Sequence, residues 1–430
     1  MRRADRMRRT TRNLLQVIGG EMLLRLANAG VAVLIGRVHG AVMLGTYAAS
    51  LAVATLAERL ADNGLEMSGI AEASQGREKL ERIATALYIN KTVFSLLAIT
   101  ALAAVGWAAG LSRSYWLIAG ILTMRAFLYS YCRLNSGLLK ALDRTSQIAR
   151  IQLLHFAALC CAVLYAYTRV KSFTFLLLGL LATQFVEFLL SLRALRKLGA
   201  RAVAVSPKQC WELARRSTAI GLSYTLSTLM LRGDVLVLTL MASASAVGGF
   251  AAADTGLVMV YVVAWLFSGV LLADIGRLSA NTGEFDRHFR KCIIAILALG
   301  IPAAAAALLL APSAILALYG GNFRAAGIPA AIMSAAIPFI FLNAAFLSRA
   351  VARHAAPKCL VVYGAGAGVS LLLNVLLGWS YGGTGIAISI VLREMAITIA
   401  FLVLGNLAPA EEQASAALER RSELSDALNA

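Results

Sequence analysis

Cys292-Ile-Ile-Ala-Ile-Leu-Ala-Leu-Gly-Ile-Pro-Ala-Ala-Ala-Ala-Ala-Leu-Leu-Leu-Ala-Pro-Ser-Ala-Ile-Leu-Ala-Leu318 runs for 27 residues without a charge. About 20 apolar residues wound as a helix cross a hydrocarbon core of roughly 30 Å. Backbone amides find no water in lipid, so such a run must bond to itself as a helix. Eleven further runs read the same way. They are 14–35, 42–64, 83–109, 115–138, 147–168 and 173–195 in the first half. In the second half, 216–241, 246–276, 327–350, 358–378 and 383–405 join 292–318. None alternates as an outer-membrane barrel strand does. The expected fold is an all-α integral membrane protein of twelve transmembrane helices.

Composition agrees. Of 430 residues, 60% are hydrophobic and 14% charged, with a mean hydropathy of +0.76. A soluble domain carries about 25% charged residues, too many for this chain to match. The formal net charge of +18 raises the possibility of nucleic-acid binding. Placement of the 40 Lys and Arg residues argues otherwise: with the N-terminus inside, 28 fall on the cytoplasmic side, 5 in outer loops and 7 within spans. That asymmetry puts both termini in the cytoplasm and assigns the basic excess to orientation and to phospholipid headgroups. No nucleic-acid partner is expected. The basic N-terminus precedes a run too long for a signal peptide and interrupted by Glu21 and Arg25, so it reads as a lead-in to a retained helix. Six scattered cysteines and four histidines give no metal-binding spacing, and no cofactor is expected.

Sliding the second half back by 203 positions lays Gly248-Gly-Phe250-Ala-Ala on Gly45-Thr-Tyr47-Ala-Ala and Arg215 on Arg12. Six helices per half is an even number, so the halves share one orientation. The expected organisation is an N-terminal lobe (1–195), a basic cytoplasmic linker (196–215), a C-terminal lobe (216–405) and a cytoplasmic tail (406–430). No inner segment exceeds about 25 residues and no Gly-x-x-x-x-Gly-Lys-Ser/Thr occurs, which excludes an ATPase within the chain. The short outer loops contain no Asp or Glu, which argues against a membrane enzyme needing an outer-face carboxylate.

Ionisable groups at membrane depth are costly and are functional candidates by default. Glu21, Arg25 and Asn28 share one face of helix 1. Arg125, Tyr129 and Arg133 share one stripe of helix 4, with Arg125 near the midplane and Arg133 close enough to the inner end to reach headgroups. Arg232 and Asp234 on helix 7 are two residues apart and should take different partners. Lys91, Glu187, Asp254, Arg393 and Glu394 complete the set. Adjacent Arg393 and Glu394 should point apart, each paired across helices. Gln152 and His155 on helix 5 read as sugar ligands or as interhelical hydrogen bonds. Pro302 and Pro338 should kink helices 9 and 10.

Several stretches carry a family resemblance. Gly45-Thr-Tyr-Ala-Ala-Ser through Leu60-Ala-Asp62-Asn-Gly64-Leu65 resembles helix 2 of polysaccharide-biosynthesis flippases. Leu231-Arg-Gly-Asp234-Val-Leu-Val-Leu with Ala246-Val-Gly-Gly-Phe-Ala-Ala-Ala resembles their helices 7 and 8. Leu318-Tyr-Gly320-Gly-Asn-Phe323 and Tyr381-Gly-Gly-Thr-Gly385-Ile-Ala-Ile are similar to the tail pattern, so the likeness spans about residues 10–405. These O-antigen flippases belong to the multidrug/oligosaccharidyl-lipid/polysaccharide (MOP) exporter superfamily. The resemblance implies two six-helix lobes around a central cavity in the bacterial inner membrane. It further implies transport of an undecaprenyl-diphosphate-linked glycan for O-antigen or exopolysaccharide assembly, alongside a polymerase and other glycan-assembly proteins. On that reading Arg25, Arg125 and Arg232 are the substrate-binding cavity cations, supported by Glu21, Asn28, Tyr129, Lys91 and Asp254. The alternatives are a cation-coupled multidrug antiporter of the same superfamily, which Asp254 and Glu21 would serve, and a membrane enzyme of glycan assembly.

Overall fold

The computed structural model describes residues 2–73, 80–108, 113–142, 144–199, 203–277, 282–353 and 356–406. The expected tail beyond 406 lies outside the described residues. Every regular element in them is helical. In chain order these are α1 (Arg2–Asp62), α2 (Leu65–Ala73), α3 (Leu80–Ala108), α4 (Arg113–Ala141), α5 (Thr145–Tyr165) and α6 (Phe173–Arg196). There follow α7 (Pro207–Met241), α8 (Ala244–Arg277), α9 (Thr282–Tyr319), α10 (Gly327–Ser334), α11 (Ile337–Ala352) and α12 (Ala356–Asn406). Among the described residues eight helices are long and apolar enough to cross a membrane. The count is nine if the bent pair at Gly321–Ser334 and Ile337–Ala352, inclined by 43°, forms one span. The protein is a multi-pass membrane protein.

Two of the helices are interrupted. Gly40 in α1 has φ 81° and Gly382 in α12 has φ 57°, a left-handed region that side chains with a Cβ rarely enter. At each the chain doubles back. A Cβ on Gly36 would lie 3.1 Å from Leu44 Cδ2, and one on Gly385 would lie 1.9 Å from the Leu377 carbonyl oxygen. Residues eight apart in a straight helix are separated by about 12 Å, so neither contact exists without a reversal.

Pro302 lies inside α9, as expected, together with Pro312. Pro338 stands in the first turn of α11, where its missing amide N–H is tolerated. The expected bend in 327–350 falls at this proline, as the break of 43° between the α10 and α11 segments.

Helix α7 opens at Pro207 with a capping box in which Ser206 and Gln209 exchange hydrogen bonds, so it begins within the basic stretch. Its other end, with α8, packs on the second limb of α1 (residues 41–62). Leu44, Tyr47, Val247 and Phe250 are all buried there in one apolar cluster. The helices meet at glycines. A Cβ on Gly45 would fall 1.8 Å from the Ala244 carbonyl oxygen, and one on Gly248 would fall 1.9 Å from that of Ala41. At the far end of the same limb, a Cβ on Gly221 of α7 would lie 2.3 Å from the Asn63 carbonyl carbon. These two close approaches fix α1 against α7 and α8 and set the space between them.

Candidate functional site

Between these contacts lies a column of ionisable side chains. Glu21 and Arg25, one turn apart on α1, form an ion pair at 2.8 Å and remain about a third and two-fifths exposed. Asn28, the next residue on that face, donates from Nδ2 to the Leu24 carbonyl at 2.7 Å and accepts at Oδ1 from Arg125 Nη2 at 2.6 Å. Arg125 therefore bonds a neutral amide rather than an acid, and its Nε is buried with no hydrogen-bond partner. Such an unmet guanidinium donor demands an explanation. The buried Tyr47 of α1 stands in the field of both Arg125 of α4 and Arg232 of α7. Arg232 has an acid nearby, Asp254 of α8, but only at 3.9 Å, too far for a hydrogen bond. Tyr129 is 38% exposed, lies among Glu21, Arg25, Glu58 and Arg133, and faces the same space.

The structure thus pairs Arg25 with Glu21, Arg125 with Asn28 and Arg232 with Asp254, sets Tyr129 near Glu21 and Arg25, and sets Tyr47 near both Arg125 and Arg232. Lys91 does not join them. It is wholly buried, with Nζ 2.5 Å from Asp62 Oδ1, and is engaged in holding α3 to α1. Arg133 does not reach headgroups either. Its Nη1 meets Glu58 at 3.3 Å and its Nη2 donates to Glu66, across the break at Asn63–Gly64. With Arg59 beside Glu58 at 3.4 Å, three acids face three bases at this end. Glu58 and Glu66 had escaped notice, although Glu58, Asp62 and Glu66 repeat at i, i+4 and i+8, the mark of one helical face.

A second polar cluster sits within α7, α8, α11 and α12. Asp234 pairs with Arg393 at 3.0 Å and accepts from Asn374 Nδ2 at 2.7 Å. Asp234 and Arg232 do take different partners, as their spacing requires. Arg393 and Glu394, however, do not point apart. Arg393 Nε lies 3.1 Å from Glu394 Oε1, and both residues bond the Tyr261 hydroxyl. Asn343 donates to the other Glu394 oxygen at 2.9 Å. A buried arginine shared by two acids, with every oxygen bonded, makes a rigid internal anchor rather than a ligand site. In the first half, the buried His155 lies 2.8 Å from Glu187, which also accepts from Gln184, so His155 packs as an interhelical neighbour of that carboxylate. Gln152 abuts Gly20 of α1.

Chemically, the column can do one thing well. Arg125 has no acidic partner and Arg232 only a distant one, so together they present guanidinium forks to an anion entering between the helices. Among the described residues no group of three or more His, Cys, Asp or Glu side chains is placed to hold a metal ion.

A family model described as polysaccharide biosynthesis protein matches residues 10–272. The chain belongs to that family. Against curated protein sequences the chain has no significant match. Its fold is that of MOP-superfamily transporters. The lipid II flippase MurJ in an inward closed conformation superposes with a TM-score of 0.76 at 12% identity, covering 91% of this chain and 87% of that one. An inward-facing multidrug resistance MATE family transporter gives 0.66 at 15% identity, covering 90% and 94%. A MOP superfamily transporter from Pyrococcus furiosus, described by a binding pocket of reverse polarity, gives 0.64 at 13%, covering 92% and 94%. At such identities the likeness speaks for the fold alone.

Proposed function

We propose that this protein is a flippase that carries an undecaprenyl-diphosphate-linked oligosaccharide across the bacterial inner membrane for O-antigen or exopolysaccharide assembly. The observation that carries the reading is Arg125, a half-buried guanidinium whose Nε is buried without a partner and whose Nη2 bonds a neutral amide, with Arg232 acting on the same Tyr47. A diphosphate supplies the oxygens that both forks lack. The membrane potential, negative inside, favours outward movement of an anion by about 2.3 kcal/mol per charge per 100 mV. The polyprenyl tail stays in lipid while the headgroup and glycan pass between the helices, so the protein transports and has no bond to make or break.

The proposed architecture is twelve crossings in two six-helix lobes, residues 1–195 and 216–405, joined by the segment 196–215, with both termini cytoplasmic. The apolar stretches Gly19–Asp62 and Cys359–Val403 span 44 and 45 residues. At 1.5 Å per residue each is about twice the hydrocarbon thickness, and the reversals at Gly40 and Gly382 turn each into two crossings. Ala41 and Gly45 meet Ala244 and Gly248, which lie 203 positions on, and this reciprocal contact supports a twofold relation between lobes.

The multidrug antiporter is the second reading, favoured by Asp254, an acid of the interior with a distant cation. Surface glycan display in a flippase-null strain, run beside efflux of cationic dyes, separates the two. Restored display without dye efflux is expected. Dye efflux that fails on Asp254→Asn, with no restored display, would move the assignment to the antiporter.

A further inference from the structure

The pair Arg232–Asp254 is longer than the other ion pairs described above and the Arg349–Asp286–Arg353 pairs. Those pairs lie within 3.4 Å, whereas Arg232 Nη1 and Asp254 Oδ2 are 3.9 Å apart. Neither side chain is sealed, at 28% and 12% exposure, while the neighbouring Asp234 is already committed to Arg393 and Asn374. A carboxylate so held compensates the arginine's charge without occupying its donors. It is also the only acid within 4 Å of Arg232 among the described residues, and Arg125 has none.

We infer that Asp254 is a tethered counterion that competes with the transported diphosphate for Arg232. In the empty protein the carboxylate neutralises Arg232. When a diphosphate bridges Arg125 and Arg232, its oxygens take the guanidinium donors bidentately and Asp254 is left facing a like charge. That repulsion holds affinity down at the bound stage and returns Asp254 to Arg232 when the headgroup leaves. The exchange needs no covalent step. Its effect is to trade tight binding for release, which a carrier requires and a receptor does not.

This inference rests on the flippase reading, and the test separates the two. The full-length protein is placed in lipid nanodiscs and titrated with a fluorescent polyprenyl diphosphate. Asp254→Asn should tighten binding at least about tenfold, the scale of close charge-pair couplings, and should slow dissociation. Asp254→Glu, which keeps the charge and extends its reach, should bind more weakly than the wild type. In an Arg232→Ala background the Asp254→Asn substitution should tighten binding several-fold less, because only the direct repulsion of the diphosphate remains once that arginine is gone. Inorganic pyrophosphate, a diphosphate free of lipid, should compete and should gain the same tightening. If it does not, the discrimination resides in the lipid or glycan and the exchange is wrong. No binding of polyprenyl diphosphate by the wild type overturns the flippase reading itself. Binding by the wild type that is unaltered by Asp254→Asn, or altered equally with and without Arg232, overturns this inference alone.

Discussion

Gly45 and Gly248 pack backbone against backbone: a Cβ on either would fall within 2 Å of a carbonyl oxygen on the other helix, at 1.8 Å from Ala244 and 1.9 Å from Ala41. No rotamer relieves a Cβ–backbone clash, so the helices must part by ångströms if either glycine is replaced. Gly45→Ala or Gly248→Ala should lower the midpoint of thermal unfolding by several degrees and abolish glycan display, since overpacking costs about 1–3 kcal/mol. Gly256→Ala on the same α8 meets nothing within 4 Å and serves as the control. Equal stability of all three variants would show that the helices are not held by this contact.

The column of cations makes a graded prediction. Under the proposed function, Arg125→Ala and Arg232→Ala should each abolish transport with normal insertion, because each removes a guanidinium fork proposed to bind the diphosphate. Arg25→Ala should cost less, since Glu21 already takes its charge at 2.8 Å. Lysine at 125 or 232 should restore only part of the activity, a point charge replacing a planar fork. Complementation by both alanine variants at wild-type expression would remove the arginines from the substrate path.

Orientation is tested by reporter fusions. Fusions at Ser206 and Ser415 should score cytoplasmic and one at Asn322 periplasmic, as the distribution of basic residues requires. The reverse pattern would invert the transport direction argued above.

Lys91 and Asp62 show where the sequence was a poor guide. A lysine in an apolar run reads as a cavity residue, yet Lys91 is wholly buried against Asp62, 29 positions away. Spacing within one helix reveals shared faces, and so Glu21, Arg25 and Asn28 were legible, as was the separation of Arg232 from Asp234. It carries no information about which helix lies opposite. Arg393 and Glu394 illustrate the same limit. Adjacent residues leave a helix about 100° apart, but long side chains curl back, and both reach Tyr261. Breaking the Lys91 pair should be costly. Lys91→Met alone strands a buried carboxylate and should destabilise by about 3–5 kcal/mol, whereas Lys91→Met with Asp62→Leu should recover much of that loss. Thermal unfolding in detergent reads both. A single variant as stable as the wild type would mean that Asp62 finds another cation.

Arg133 offers the most specific test of the end of the bundle where α1 breaks into α2. Asn63 and Gly64 carry φ of 42° and 75°, so the helix stops there and α2 restarts in a new direction. Glu58 lies before this break and Glu66 after it, and Arg133 holds both. The arginine thus fixes the angle between α1 and α2. That angle places Gly64 and Asn63 against Gly221, and Asn63 Nδ2 against Thr218 Oγ1 at 3.1 Å. Arg133→Gln leaves two acids facing each other with only Arg59 near one of them. Their repulsion should swing α2 away and open the contact with α7. Cross-linking of paired cysteines at Asn63 and Thr218 should then fall several-fold in Arg133→Gln. It should return when Glu58→Gln and Glu66→Gln are added, because the repulsion is gone although the clamp is not. Cross-linking that is unaffected by Arg133→Gln would show that the glycine contact alone holds the break. Failure of the added glutamines to rescue would mean that the clamp, not the repulsion, sets the angle.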